Sequence, residues 1–191
     1  MSLKDLLMKF NDWLQLGVTT FAILFGVVSL WWFHWRKGRI RVSAPRSFMV
    51  AKTADKLVLE LPMTFYNTGA LPIVINNLLL EVRQEAARAL LRFEFTRNEL
   101  GDETLRWASQ IAVDGGKAVS SVFDFQTVLG ELSPQVGVWN CRLLGLTDDN
   151  QQYSWLARFR LNVKRLDGNL VAQDNYDEEY NRLRERFLRT K

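Results

Sequence analysis

One cysteine, one histidine and four prolines are all that the 191 residues hold of these three types. The lone Cys141 excludes an intrachain disulfide, which fits a reducing compartment. With His34 as the sole imidazole, a zinc site within one chain lacks ligands. His34 falls among tryptophans, without the cleft and orienting partner that general acid–base chemistry needs. Acidic pairs occur at Asp102-Glu103 and Asp148-Asp149, where loops are expected. Calcium wants about six to eight oxygens, which such pairs do not supply. Gly115-Gly116 is a turn without the rest of a phosphate-binding loop. Glycine and proline are not enriched and no repeat is present, which excludes collagen-like and low-complexity classes. No catalytic residue, metal ligand or cofactor is therefore assigned, and the expectation is that the chain is not an enzyme.

Charge is unevenly spread. The 25 basic and 21 acidic residues leave a net +4. Arg36, Lys37, Arg39, Arg41, Arg46 and Lys52 follow one another without an intervening acid, whereas residues 53–165 carry 12 basic and 13 acidic side chains. The excess lies beside a hydrophobic run, which favours lipid headgroups over nucleic acid. A nucleic-acid binder would present a basic face on the domain itself.

That hydrophobic run is the strongest signal. Residues 13–35 include no Lys, Arg, Asp or Glu. Residues 14–35 would make a helix of roughly 33 Å, enough to cross a hydrocarbon core of about 30 Å. Trp13 at one end and Trp31, Trp32 and Trp35 at the other form the aromatic belts of two interfaces, with Arg36, Lys37, Arg39 and Arg41 just beyond. A cleaved signal peptide is the competing reading. The acidic Asp5 and Asp12, the long apolar core and the absence of a small-residue cleavage site oppose it. The heavier basic flank is distal, so the positive-inside rule puts the following domain in the cytoplasm, with an extracytoplasmic domain as the alternative. Gln15, Thr19, Ala22, Gly26 and Ser29 fall on one helical face and would permit close helix packing with a second copy or a membrane partner. Residues 1–13 form an amphipathic leader that extends the helix or lies in the interface.

Beyond a basic juxtamembrane segment, 36–46, the period changes to two. In the domain, 47–165, Leu57, Leu59, Leu61, Met63 and Phe65 alternate with Val58, Glu60, Pro62, Thr64 and Tyr66, as in a half-buried strand. Asn67-Thr68-Gly69-Ala70 is turn chemistry, since Asn and Gly tolerate positive φ. Strands follow over 71–82, 90–95, 117–125, 136–146 and 153–164. Shorter ones fall at 40–42 and 47–51, and 103–112 is either a helical turn or an edge strand. Trp155, Ala157, Phe159, Leu161 and Val163 alternate with Arg158, Arg160, Asn162 and Lys164. Cys141 shares a face with Trp139 and Leu143, as a buried structural thiol would. Trp107 and Phe125 have no clear inward assignment, and an exposed pair would be a binding patch. Six to eight strands without alternating helices predict a mainly β fold, an antiparallel β-sandwich.

The stretch Met63-Thr64-Phe65-Tyr66-Asn67-Thr68-Gly69-Ala70-Leu71-Pro72-Ile73-Val74-Ile75 resembles immunoglobulin-like modules, in which an Asn-x-Gly turn is followed by a Pro–aliphatic strand. It also resembles membrane-anchored bacterial proteins of unassigned function. The likeness implies an immunoglobulin-like sandwich that binds or spaces other parts and is not catalytic.

Residues 166–191 read as a connector and an amphipathic C-terminal helix. Tyr176, Tyr180, Leu183 and Phe187 make an apolar stripe, capped by Asp174. The stripe packs on the domain or pairs with a partner helix. The functional expectation is a membrane-tethered interaction or scaffold module. An extracytoplasmic ligand-binding domain and an accessory subunit of a larger membrane complex are the alternatives. The expected partners are the lipid bilayer and a second copy or membrane protein, with no nucleic acid and no small-molecule ligand identified.

Overall fold

The computed structural model describes residues 3–53, 55–85, 87–97, 104, 106–128, 135–166, 168 and 170–175. Helix α1 (Leu3–Leu30) runs into a single π-helical turn, Trp31–Trp35. The leader therefore continues the apolar helix, the first of its two expected fates. The stretch Trp13–Trp35 is long and apolar enough to cross a membrane, and none of it is buried inside the rest of the chain. The helical hydrogen-bond ladder ends at Arg36, whose backbone is extended.

Among the described residues eleven strands follow: β1 (Ile40–Val42), β2 (Ser47–Lys52), β3 (Lys56–Asn67), β4 (Ile73–Gln84), β5 (Ala87–Arg97), β6 (Arg106–Trp107), β7 (Ile111–Val113), β8 (Ala118–Val128), β9 (Gly137–Thr147), β10 (Ser154–Val163) and β11 (Val171–Asp174). All belong to one sheet, in the order β10-β9-β4-β5-β8-β3-β2-β11, with β1 on β3, β6 on β5 and β7 on β4. Every pairing is antiparallel. The sheet curls until its two ends meet. Gln173 and Asn175, in and just after β11, reach across to β10. The Gln173 Oε1 accepts from the Lys164 and Arg165 amides at 2.7 and 3.3 Å, and its Nε2 donates to the Arg165 carbonyl at 2.6 Å. The Asn175 Oδ1 accepts from the Asn162 amide, and its Nδ2 donates to the Arg160 carbonyl. Two amide side chains thus stand in for a backbone ladder and blunt both sheet edges.

The curl encloses one core. Phe48, Leu59, Leu61, Phe65, Leu78, Leu80, Phe123, Phe125, Trp139, Leu143 and Leu161 are fully or almost fully buried in it. The expected alternation in β3 holds, because Leu57, Leu59, Leu61, Met63 and Phe65 all point inward. In β10 the phase changes once. A bulge between Trp155 and Ala157 shifts the register, so Phe159, Leu161 and Val163 stay inside while Trp155 turns out to solvent. The extra residue, Leu156, packs over Gly145, where a Cβ would clash with it.

Other expectations change. The ambiguous stretch before residue 112 contributes the short strands β6 and β7, and the supposed connector contains β11. Asp174, the expected helix cap, is the last residue of β11. The stripe Tyr176, Tyr180, Leu183 and Phe187 lies outside the described residues, as does Asp102-Glu103. The turn after β3 uses no positive φ. Among the described residues that conformation occurs at Glu85, Gly116 and Gly137.

Candidate functional site

Two arrangements stand out, one at each end of the curled sheet. The first joins the apolar helix to the β domain. Gly38 meets Gly69 backbone to backbone, so closely that a Cβ on either would lie 2.1 Å from the other's nitrogen. On its far side the turn presses on the β7–β8 turn, and a Cβ on Gly115 would lie 1.9 Å from the Ala70 carbonyl oxygen. Glycine is required at 38 and 69 by close approach and not by φ. Around this contact the Ala70 amide donates to the Arg36 carbonyl at 2.8 Å, and the Thr68 amide donates to the Arg39 carbonyl at 3.1 Å. The Arg39 amide donates to Thr68 Oγ1 at 3.0 Å. Asn67, fully buried, holds the turn from within. Its Oδ1 accepts from the Gly69 amide at 2.9 Å, and its Nδ2 donates to the Leu71 and Val113 carbonyls at 2.7 and 3.0 Å.

The expected interface residues divide here. Trp13, Trp31, Trp32 and Trp35 are exposed, with the rings of Trp31 and Trp32 6.3 Å apart. Arg36 is not a free interfacial charge. Its guanidinium sits 4.5 Å from the Trp32 ring and donates to the Thr68 carbonyl. Lys37 lies 4.0 Å from Asp149 of the β9–β10 loop, with both side chains solvated. Arg39 and Arg41 extend into solvent. The residues Gln15, Thr19, Ala22 and Gly26 line an exposed helix face, with Ser29 half-covered at its end. The Thr19 hydroxyl donates to the Gln15 carbonyl within the helix. His34 Nδ1 lies 3.3 Å from the Leu30 carbonyl, inside the π-helical turn.

The second arrangement occupies the outer face of β5, β4, β9 and β10. Antiparallel register lays its outward side chains in rows. Arg88, Arg83, Asn140 and Arg160 face one another across the four strands, and Leu90, Glu81, Arg142 and Arg158 form the next row. Glu81, 3 % exposed, gathers three of the guanidiniums. Arg83 Nε donates to its Oε1, Arg88 Nε lies 2.7 Å from the same oxygen, and Arg142 Nη1 lies 3.9 Å from Oε2. Trp155, turned outward by the bulge, carries Arg158 at 4.0 Å and Arg142 at 4.9 Å from its ring. A groove of about 500 Å³ opens over this face.

Counting charge along the chain conceals this face. Near neutrality over residues 53–165 is a sum over both sides of every strand, whereas period-two geometry segregates them. The alternation of β10 separates Arg158 and Arg160 from Phe159 and Leu161, but the register with Arg83 and Arg142 is not legible from one strand. The other expected features settle inside. Cys141 is buried, and burial pushes its thiol well above the ordinary range. Phe125 is fully buried, while Trp107 is 75 % exposed, its ring tilted against that of Phe95 with centroids 4.7 Å apart.

No protein-family model and no curated protein sequence matches the chain. Solved structures give distant likenesses. The ApaA protein of Bordetella pertussis is 13 % identical, with a TM-score of 0.38 over 68 % of this chain and 98 % of that one. A protein from Archaeoglobus fulgidus is 7 % identical, with a TM-score of 0.36 over 72 % and 96 %. Neither likeness is close enough to carry an argument about this chain.

Proposed function

We propose that this protein is a single-pass membrane protein whose β domain is a tethered interaction module without catalytic activity of its own. In this reading α1 crosses the bilayer and the domain faces the cytoplasm. The facing walls of the curled sheet serve as the two layers of an immunoglobulin-like sandwich over a common core.

The observation that carries the reading is the Gly38–Gly69 junction. A domain that needed only retention at a membrane could hang on a flexible linker. Here the chain leaves the apolar helix, extends at Arg36 and is bound at once by the β3–β4 turn. Backbone hydrogen bonds and a glycine contact hold the segment just after the helix, Arg36 to Arg39, against the domain. A held connection suits a module that presents one face to a partner, because less freedom is lost on binding. The exposed face through Gln15, Thr19, Ala22 and Gly26 supports helix pairing, which would multiply the presented surface.

Two measurements on native membranes test this. Paired topology reporters fused after Lys191, one active only inside and one only outside, should report the cytoplasm. Cysteine crosslinking along the Gln15–Ser29 face should trap a second copy or a fixed-stoichiometry membrane partner. An outside signal would overturn the orientation. A chain that crosslinks to nothing would overturn the interaction role.

A further inference from the structure

We infer that the outer face of β5, β4, β9 and β10 is a binding site for a compact soluble ligand carrying two or more phosphate groups. Three observations combine to support it.

The first is an imbalance that sheet stability does not ask for. Like charges directly opposite on neighbouring strands are destabilising. Yet Arg83 faces Arg88 across β4 and β5, and Arg142 faces Arg158 across β9 and β10. Glu81 offsets Arg83, Arg88 and Arg142. Among the described residues, Arg158 and Arg160 have no carboxylate within 4.0 Å. The face therefore keeps an excess of guanidinium that an anion would neutralise.

The second is geometry. Neighbouring strands lie about 4.8 Å apart, so Arg83, Arg142, Arg158 and Arg160 fall within roughly two strand spacings of one another. Together with Asn140 and Glu85 they line the groove of about 500 Å³, so four guanidiniums meet one carboxylate there. That volume suits a small ligand. Planar guanidiniums grip phosphate oxygens in pairs, and Trp155 holds two of them in place from beneath.

The third is what the surroundings exclude. A stacked nucleobase would have to compete with Arg158 and Arg142 for the Trp155 ring, from which they lie 4.0 and 4.9 Å. An acidic peptide adding as a strand needs a bare edge. The β10 edge is already occupied by Gln173 and Asn175. The Arg83–Arg160 row lies toward the strand ends away from the junction. Arg83 lies ten residues along β4 from Ile73 at the junction end, about 33 Å of strand and several Debye lengths.

The test is calorimetric titration of the full chain in neutral-detergent micelles with sodium tripolyphosphate at physiological ionic strength. One saturable site is expected. R158A/R160A should weaken it by about tenfold or more, and R39A/R41A beside the membrane should leave it unchanged. Asn140→Glu puts a carboxylate between Arg83 and Arg160. It should weaken binding as strongly while keeping or raising the melting temperature, so lost affinity cannot be ascribed to misfolding. Absence of saturable binding overturns the inference. So does undiminished affinity in R158A/R160A or in Asn140→Glu, or a loss confined to R39A/R41A.

Discussion

Gly38 and Gly69 touch through their backbones at the point where the apolar helix hands over to the sheet, with no room for a side chain on either. Because the contact is backbone against backbone, neither residue can swing away to admit a methyl group. Gly69→Ala should part the two segments at a cost of about 1–3 kcal/mol, the usual range for overpacking. The amides of Thr68 and Ala70, which donate to the Arg39 and Arg36 carbonyls, should lose hydrogen-exchange protection. Amides in β9 and β10 should keep theirs. Unchanged protection at Thr68 and Ala70 would mean that the junction is not held by this contact.

Gln173 makes a second kind of closure. Its one side chain satisfies two amides and one carbonyl of the segment leaving β10. Gln173→Leu keeps the bulk of this almost buried side chain and removes every one of those bonds. The expected loss is about 2–3 kcal/mol, since backbone groups are left unpaired near the core. Thermal unfolding followed by circular dichroism in detergent would register it. A variant that melts with the wild type would show that β11 is held by its ladder with β2 alone.

How much of this was legible in the sequence follows from which interactions are local. The apolar helix and the alternation in β3 depend on composition and period within one segment, and both stand. The bulge at Trp155 does not, because it depends on where β10 pairs with β9. β11 is four residues long and is pinned by side-chain amides, so it has too little alternation to be seen. The turn at Asn67–Gly69 was recognisable, but its reason was not. A glycine that admits a neighbouring backbone looks like one that supplies positive φ until Gly38, 31 positions away, is seen beside it. The arginine rows were hidden for the same cause, since a row runs across strands and the sequence runs along them.

Cys141 sits at the centre of β9 with its thiol buried among Trp139, Leu143 and their neighbours. Burial disfavours the thiolate, which is the reacting species. The native protein should resist alkylation by iodoacetamide at mildly alkaline pH, and the same protein in denaturant should react fully. Mass spectrometry of the modified fraction checks this, and rapid labelling of the folded chain would contradict the packing of the core.

Asp124 on β8 lies directly opposite Glu60 on β3, and both carboxylates are almost completely shielded from water. Arg97 Nη2 stands 3.0 Å from Glu60 and 3.5 Å from Asp124, so one guanidinium serves both. Burial raises the Asp124 carboxyl above its ordinary value, more than the hydrogen bond from Gln126 and the charge of Arg97 lower it. The native state then binds this proton more tightly than the unfolded chain does. Its contribution is fully present below the unfolded carboxylate value and is lost as pH rises through the higher folded value. Asp124→Asn removes the titration and keeps an oxygen for Gln126. Melting temperatures measured in steps from about pH 4 to about pH 8 should therefore favour the wild type most in acid. Its advantage over the variant should shrink as pH rises. A difference that does not change with pH would mean that the buried carboxyl keeps its unfolded affinity for protons, against the desolvation that its place between β3 and β5 imposes.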